Sequence, residues 1–191
     1  MVLQKADSDT SMSVPSYLEV DHDVDYVFDR VLGDLLHPPK ETQYVQTHQS
    51  IESLPLIGVA RSWRISVVYG IAKGSGLWGT YCPCRHNKPP IITLWILNLH
   101  IWFHELVHAA DDRLNQIRTK TIWGELTAEL ATVTLLRCFL YLNDLNLGTV
   151  SLWIKHYAKI LNLDPIDACQ LIKSRVCGCS RLILDEYKGE Q

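Results

Sequence analysis

From Asp23 to Leu36 the apolar residues fall at Val24, Val27, Phe28, Val31, Leu32, Leu35 and Leu36. That i, i+3, i+4, i+7 rhythm predicts an amphipathic helix. Asp21 or Asp23 can cap it, and His37-Pro38-Pro39 ends it. The rhythm then shortens. Thr42 to His48 alternates loosely, and Trp63 to Tyr69 carries β-branched and aromatic residues between Gly58 and Gly70, as strands do. Lys73-Gly74-Ser75-Gly76 reads as a turn, Leu77 to Cys82 as its partner strand, and Arg85 to Pro90 as a loop. Ile91 to Leu94 is a last strand or the start of the next helix. Three or four such strands predict a small, mainly antiparallel sheet.

Beyond that point the pattern is helical. One helix runs from about Leu94 to Asn115, and Arg118-Thr119-Lys120 links it to a second from about Ile122 to Leu142. Leu152 to Leu161 forms a third, with Thr149 or Ser151 as its cap. Asp164-Pro165 opens a fourth that runs towards Leu182, and the tail from Tyr187 is polar. Residues 1–15 are polar and Ser-rich and read as a disordered lead-in. Residues 16–187 show no repeat and no long linker, so they form a single domain. The expected fold class is α+β: an N-terminal helix, the small sheet, the Leu94–Asn115 helix, and three further C-terminal helices.

Composition narrows the function classes. With 47% hydrophobic and 20% charged residues, 191 residues can build one full core. A net charge of −3 and a pI near 6.2, with no basic stripe, make nucleic acid an unlikely partner. The acids concentrate early, at Asp7, Asp9, Glu19, Asp21, Asp23, Asp25 and Asp29, which reads as a solvated acidic face. Met1 to Asp7 has no apolar leader, and the apolar run from Ile91 to Phe103 is too short to span a membrane. A soluble, cytoplasmic protein is expected. Of six cysteines, Cys82 and Cys84, and Cys177 and Cys179, form C-x-C pairs, closer than zinc knuckles prefer. Reduced thiols are the default without an export signal; a second metal site or a disulfide between the pairs is the alternative. Cys138, among apolar residues, reads as core.

The chemistry concentrates at His104-Glu105-Leu106-Val107-His108. Residues four apart on a helix lie nearly above one another, so both imidazoles can reach one cation. Glu105 borders the same face, where a carboxylate can hold and deprotonate water activated by the metal. The competing reading is a helix with two histidines and an unrelated acid. Two features weigh against it. The preceding stretch Trp95 to Phe103 is apolar, so the motif sits on a buried helix, where His and Glu need partners. Glu125 and Glu129, also four apart, follow on the next helix. Hydrolytic zinc takes three protein ligands, so one glutamate can complete the set while the other accepts the free ring N–H of a histidine. Residue types alone leave open which does which.

The order of helix, sheet, HExxH helix and glutamate helix resembles the zincin pattern. More narrowly, Phe103 to Ala109, then Arg113-Leu114-Asn115, then Gly124 to Ala131, resembles the metallopeptidase-like C-terminal domain of ArdC-type anti-restriction proteins, with their HELxH, nearby RLN and EELVAEL-like helix. Ser151 to Leu161 resembles that family's following tryptophan-containing helix. The likeness spans roughly residues 75–187; the first half matches in element order. It implies a zincin-like fold and a Zn2+-dependent metallopeptidase (HExxH zincin) acting on a protein or peptide, in anti-restriction, mobile-element or phage biology. Glu125-Leu126-Thr127-Ala128-Glu129 is similar to the E-x-x-A-D of several zincin families, which implies Glu125 as the third ligand beside His104 and His108. Glu129 is then the supporting acid, or the alternative ligand. The chain departs from the family after His108, where Ala109-Ala110-Asp111-Asp112 leads directly to Arg113. As the sequence begins, the single-stranded-DNA-binding domain that full-length relatives carry is not expected in it.

On this reading Glu105 is the general base, and His100, His156 and Tyr157 are candidate oxyanion donors. For His100 a satisfied core or surface histidine is the commoner fate, and for Tyr157 simple packing is. Two rival functions stand beside the hydrolase. One is a non-enzymatic, metal-stabilised module that docks on a protein. The other is a single-stranded-DNA binder using Trp63, Trp78, Tyr81 and Arg85.

Overall fold

The computed structural model describes residues 23–36, 50–70, 78–84, 88–114, 121–139 and 147–189. Helix α1 spans Val24–Leu36, followed by a short 3-10 turn at Ile51–Ser53 and helix α2 at Ile57–Ser62. Strands β1 (Ser66–Tyr69), β2 (Gly79–Cys82) and β3 (Ile91–Leu94) come next. Helices α3 (Leu99–Arg113), α4 (Ile122–Cys138), α5 (Leu147–Leu161), α6 (Pro165–Leu171) and α7 (Lys173–Gly189) complete the chain. The α+β class holds. In α1 the buried stripe is the expected one, Val24, Val27, Phe28, Val31, Leu32 and Leu35, and Asp23 Oδ1 accepts from the Asp25 amide at 3.0 Å.

The sheet is mixed, not mainly antiparallel. Its order is β1-β3-β2, with β1 parallel to β3 (Ser66 opposite Ile91) and β2 antiparallel to it (Gly79 opposite Leu94). The expected pairing of the Trp63–Tyr69 and Leu77–Cys82 strands does not form, because β3 lies between them. Its alternate residues Ile92 and Leu94 are wholly buried, whereas β1 is largely exposed and β2 half-buried. The most apolar strand takes the centre, where its backbone is paired on both sides and its side chains meet α3. Trp63 and Arg64 are not strand residues. They close α2 in a tight turn with Arg64 at φ 56°. Thr42 to His48 and Lys73 to Gly76 lie outside the described residues, as do residues 1–15.

The helical half also differs in detail. Because Ile91–Leu94 is a strand, α3 starts only at Asn98, whose side chain accepts from the Ile101 amide at 3.2 Å. Helix α4 begins where expected, capped by Thr121 (3.1 Å from the Gly124 amide), but stops at Cys138. Thr149 and Ser151 do not cap α5; both lie inside it. The Ser151 hydroxyl instead donates to the Leu35 carbonyl (3.1 Å), tying α5 to the end of α1. The single helix expected after Asp164 is two, broken at buried Ile172. Among the described residues four helices therefore follow α3, not three.

Helix α4 is the centre of the molecule. From Leu126 to Leu136 every residue is buried, and α1, α3, α5 and α7 pack around it. It has no solvated polar stripe because neighbours cover it on most sides, and its acidic pair Glu125 and Glu129 faces α3. The early acids within the described residues are not simply solvated. Asp25 pairs with Arg181, Asp29 with Lys173 and Asp34 with Arg137, so α1 is bound by charge to α7 and α4. No helix among the described residues is long and apolar enough to cross a membrane. All six cysteines are free. Cys82 at the end of β2 and Cys84 beyond it are exposed, while Cys177 and Cys179 are buried in α7 and Cys138 in α4.

Candidate metal centre

Three histidines stand one turn apart on α3, and two glutamates one turn apart on α4. The helices run antiparallel, so the two ladders interleave. His100 Nε2 lies 3.1 Å from Glu129 Oε2, and His104 Nδ1 lies 3.4 Å from Glu129 Oε1. His104 Nε2 lies 3.3 Å and His108 Nε2 3.6 Å from Glu125 Oε2, and the two Nε2 atoms are 3.1 Å apart. Each rung is an i, i+4 step, so the register follows from helix geometry once the faces meet.

His104 has a nitrogen in each of two clusters. Its Nε2, His108 Nε2 and Glu125 Oε2 form one; His104, His100 and Glu129 form the other. The first has the dimensions of a tetrahedral zinc site. Bonds of about 2.0–2.1 Å place ligand atoms about 3.3 Å apart along a tetrahedron edge, against 3.1, 3.3 and 3.6 Å here. One oxygen and two nitrogen donors suit Zn2+. The residues therefore fit a cation, and the structure supports metal binding of unassigned identity.

The electrostatics agree. Burial disfavours a charged His104, but its hydrogen bond to Glu125 and the fields of Glu129 and Glu105 outweigh that and raise its pKa to about 9. Hydrogen bonds from His104 and His108 hold Glu125 far below the usual carboxylate range. Glu129 is also lowered: burial opposes ionisation, and His100 and His104 overcome it. The carboxylates thus concentrate positive charge where the three donor atoms converge.

Glu105 belongs to neither cluster. It is 6% exposed, and burial raises its carboxyl above the ordinary range, opposed by His104 and His108 and by a hydrogen bond from the Tyr81 backbone. Strand β2 lies directly over it. A Cβ at Gly79 would sit 2.7 Å from Ile101 Cγ2 and 2.8 Å from Glu105 Oε1, so only glycine allows this approach. The Tyr81 hydroxyl donates to Asp112 Oδ2 (2.8 Å), fastening β2 to the far end of α3.

Of the candidate oxyanion donors, His100 is engaged by Glu129. His156 is exposed, edge-on to Trp153 at 6.0 Å. Tyr157 is half-buried and stacks on Trp153 (5.9 Å, 24°). Arg137 and Ser151 both reach the end of α1, so α4 and α5 run antiparallel, and the fields of Glu125 and Glu129 reach Tyr157. Burial and those two carboxylates raise its pKa to about 12. Of the residues considered for DNA stacking, Trp63 is buried beneath Arg113 (4.8 Å) and the Tyr81 hydroxyl is engaged, while Trp78 is 62% exposed. Arg85 lies outside the described residues.

Reading the sequence did not single out Gly79, the Tyr81–Asp112 bond, or Arg175, which holds buried Asp111 (2.7 Å from Nε to Oδ1). A glycine inside a strand is a signal of close backbone approach and could have marked Gly79. Nothing local marks the other two. No protein-family model, curated protein or solved structure matches the chain.

Proposed function

We propose that the chain is a zinc-dependent, metallopeptidase-like hydrolase in which His104, His108 and Glu125 hold the cation and Glu105 is the general base. The observation that carries this reading is the convergence of those three donor atoms at 3.1–3.6 Å, with a buried carboxyl beside them that is not a donor. Zinc supplies Lewis acidity towards a carbonyl oxygen and makes water acidic near neutral pH. Glu105, with its pKa raised, is suited to take a proton and return it to a leaving amine. Glu129 Oε1 stands 3.4 Å from His104 Nδ1, where its charge steadies the ring. Tyr157, held protonated by burial and the fields of Glu125 and Glu129, is the candidate donor to a developing oxyanion. A peptide substrate is favoured by β2, which among the described residues pairs only with β3 and so offers a free backbone edge beside Glu105. The anti-restriction or mobile-element setting rests on the motif resemblance, and six free thiols favour the cytoplasm.

Elemental analysis, with peptide-library hydrolysis, tests the reading. Wild type should carry about one zinc per chain, lost in Glu125→Ala. Glu105→Gln should keep the metal and lose hydrolysis by about 10²–10⁴-fold. Undiminished turnover in Glu105→Gln would remove the proposed base, and zinc lost only in Glu129→Ala would exchange the two glutamates. A second reading, a metal-stabilised docking module, is favoured by the exposed Leu152, Trp153 and Ile160 of α5 and Ile166 and Leu171 of α6. Zinc-free wild type, or partner capture that survives Glu105→Gln, would favour it.

A further inference from the structure

We infer that His100 is a positioning residue of the metal centre, holding Glu129 outside the coordination set and aiming its second oxygen at His104 Nδ1. The inference rests on the metal-site reading above and adds a residue that the HExxH motif does not contain.

Glu129 is 8% exposed, and its two oxygens are used separately: Oε2 meets His100 Nε2 at 3.1 Å, and Oε1 meets His104 Nδ1 at 3.4 Å. A buried carboxylate needs a partner for each oxygen. His100, one turn before His104, supplies the partner that His104 cannot. Removing it frees Oε2 while Glu129 remains one turn from Glu125 and in reach of His104. A freed carboxylate can rotate, and His104 then loses the acceptor that orients its ring. The His100–Glu129 contact thus keeps Oε2 engaged and Oε1 beside His104 Nδ1, away from the His104–His108–Glu125 donor cluster.

The rival role for His100 is as a ligand itself. His100, His104 and Glu129 also lie close enough to hold an ion. That use would require a second cation to displace the Nδ1 proton from a ring already bound through Nε2. The observed spacing, one ring nitrogen per carboxylate oxygen at 3.1 and 3.4 Å, needs no such step.

The test uses the full chain with Zn2+ alone as the probe. Wild type, His100→Ala and His100→Gln are titrated against a competing chelator, and the histidine tautomers of the zinc-loaded chains are read by two-bond 15N–1H spectroscopy. Each should bind about one zinc, with affinity roughly 10–100-fold weaker in His100→Ala. His100→Gln, whose amide can donate to Glu129, should recover most of the loss. In wild type His100 should be protonated at Nε2 and His104 at Nδ1, and the His104 signal should move in His100→Ala but not in His100→Gln. Unchanged affinity and an unmoved His104 signal in His100→Ala would overturn the inference. So would two zinc ions per wild-type chain with the second lost in His100→Ala, since His100 would then be a ligand. The wild-type spectrum decides even if His100→Ala does not fold: an unprotonated His100 Nε2 would overturn the inference. Folded wild type that binds no zinc would end the metal-site reading itself, an outcome distinct from these.

Discussion

At the scale of single residues, the centre depends on how few atoms separate its parts. Gly79 is the sharpest case. An added methyl would overlap Ile101 Cγ2, on a stiff β-branched side chain, and the Glu105 carboxylate. Gly79→Ala should therefore cost about 1–3 kcal/mol in urea unfolding, as overpacking does. It should also lower hydrolysis by displacing Glu105 while leaving zinc content intact, because Gly79 touches none of the proposed ligands. Loss of zinc in Gly79→Ala would show that β2 supports the cluster more directly than these contacts imply.

Among elements, the pairing that matters most is α3 with α4, since each carries half of the donor set. α3 is also held by α7, which packs on both α3 and α4, through Arg175 and Asp111. Asp111 is 1% exposed, takes Arg175 Nε and Nη2 at 2.7 and 2.5 Å, and accepts weakly from the Cys179 thiol. It lies three residues after His108, so this ion pair sets the end of α3 that presents the second histidine. Asp111→Ala leaves a guanidinium at a largely buried interface without that carboxylate. Such a change costs about 3–5 kcal/mol when one partner of a buried pair is removed. A shift of the denaturation midpoint corresponding to less than about 1 kcal/mol would mark the pair as a surface bridge in effect.

For the molecule as a whole, the site links pH, metal and stability. His104 has its pKa raised from 6.5 to about 9 in the folded chain, so its contribution is full below pH 6.5 and is lost as pH rises through about 9. Glu125 is lowered from 4.5, so its contribution is present above that value and lost as pH falls. In the metal-free chain the pair therefore stabilises most between pH 4.5 and 6.5. Zinc competes with the same protons, and its affinity rises as they leave. The Tm difference between zinc-loaded and chelator-treated protein should widen from pH 6.5 to 9; a constant or narrowing gap would mean that His104 is not a ligand.

Much of this was legible in the chain. The α1 stripe, the HExxH spacing and the two glutamates four apart follow from local periodicity, because a helix converts sequence distance directly into shared faces. His100 had the same spacing. Its role was not legible, since what an i−4 histidine meets depends on the neighbouring helix. The sheet order could not be read because β3 enters between two strands that precede it, and pairing is settled by which strand can bury both of its edges. The break at Ile172 lay hidden in a continuous helical rhythm. Periodicity along the chain thus determined which residues could share a face. Only the antiparallel docking of α3 on α4 decided that Glu125 faces two imidazole Nε2 atoms while Glu129 faces Nδ1 and His100, because that choice is made by contacts between residues distant in sequence.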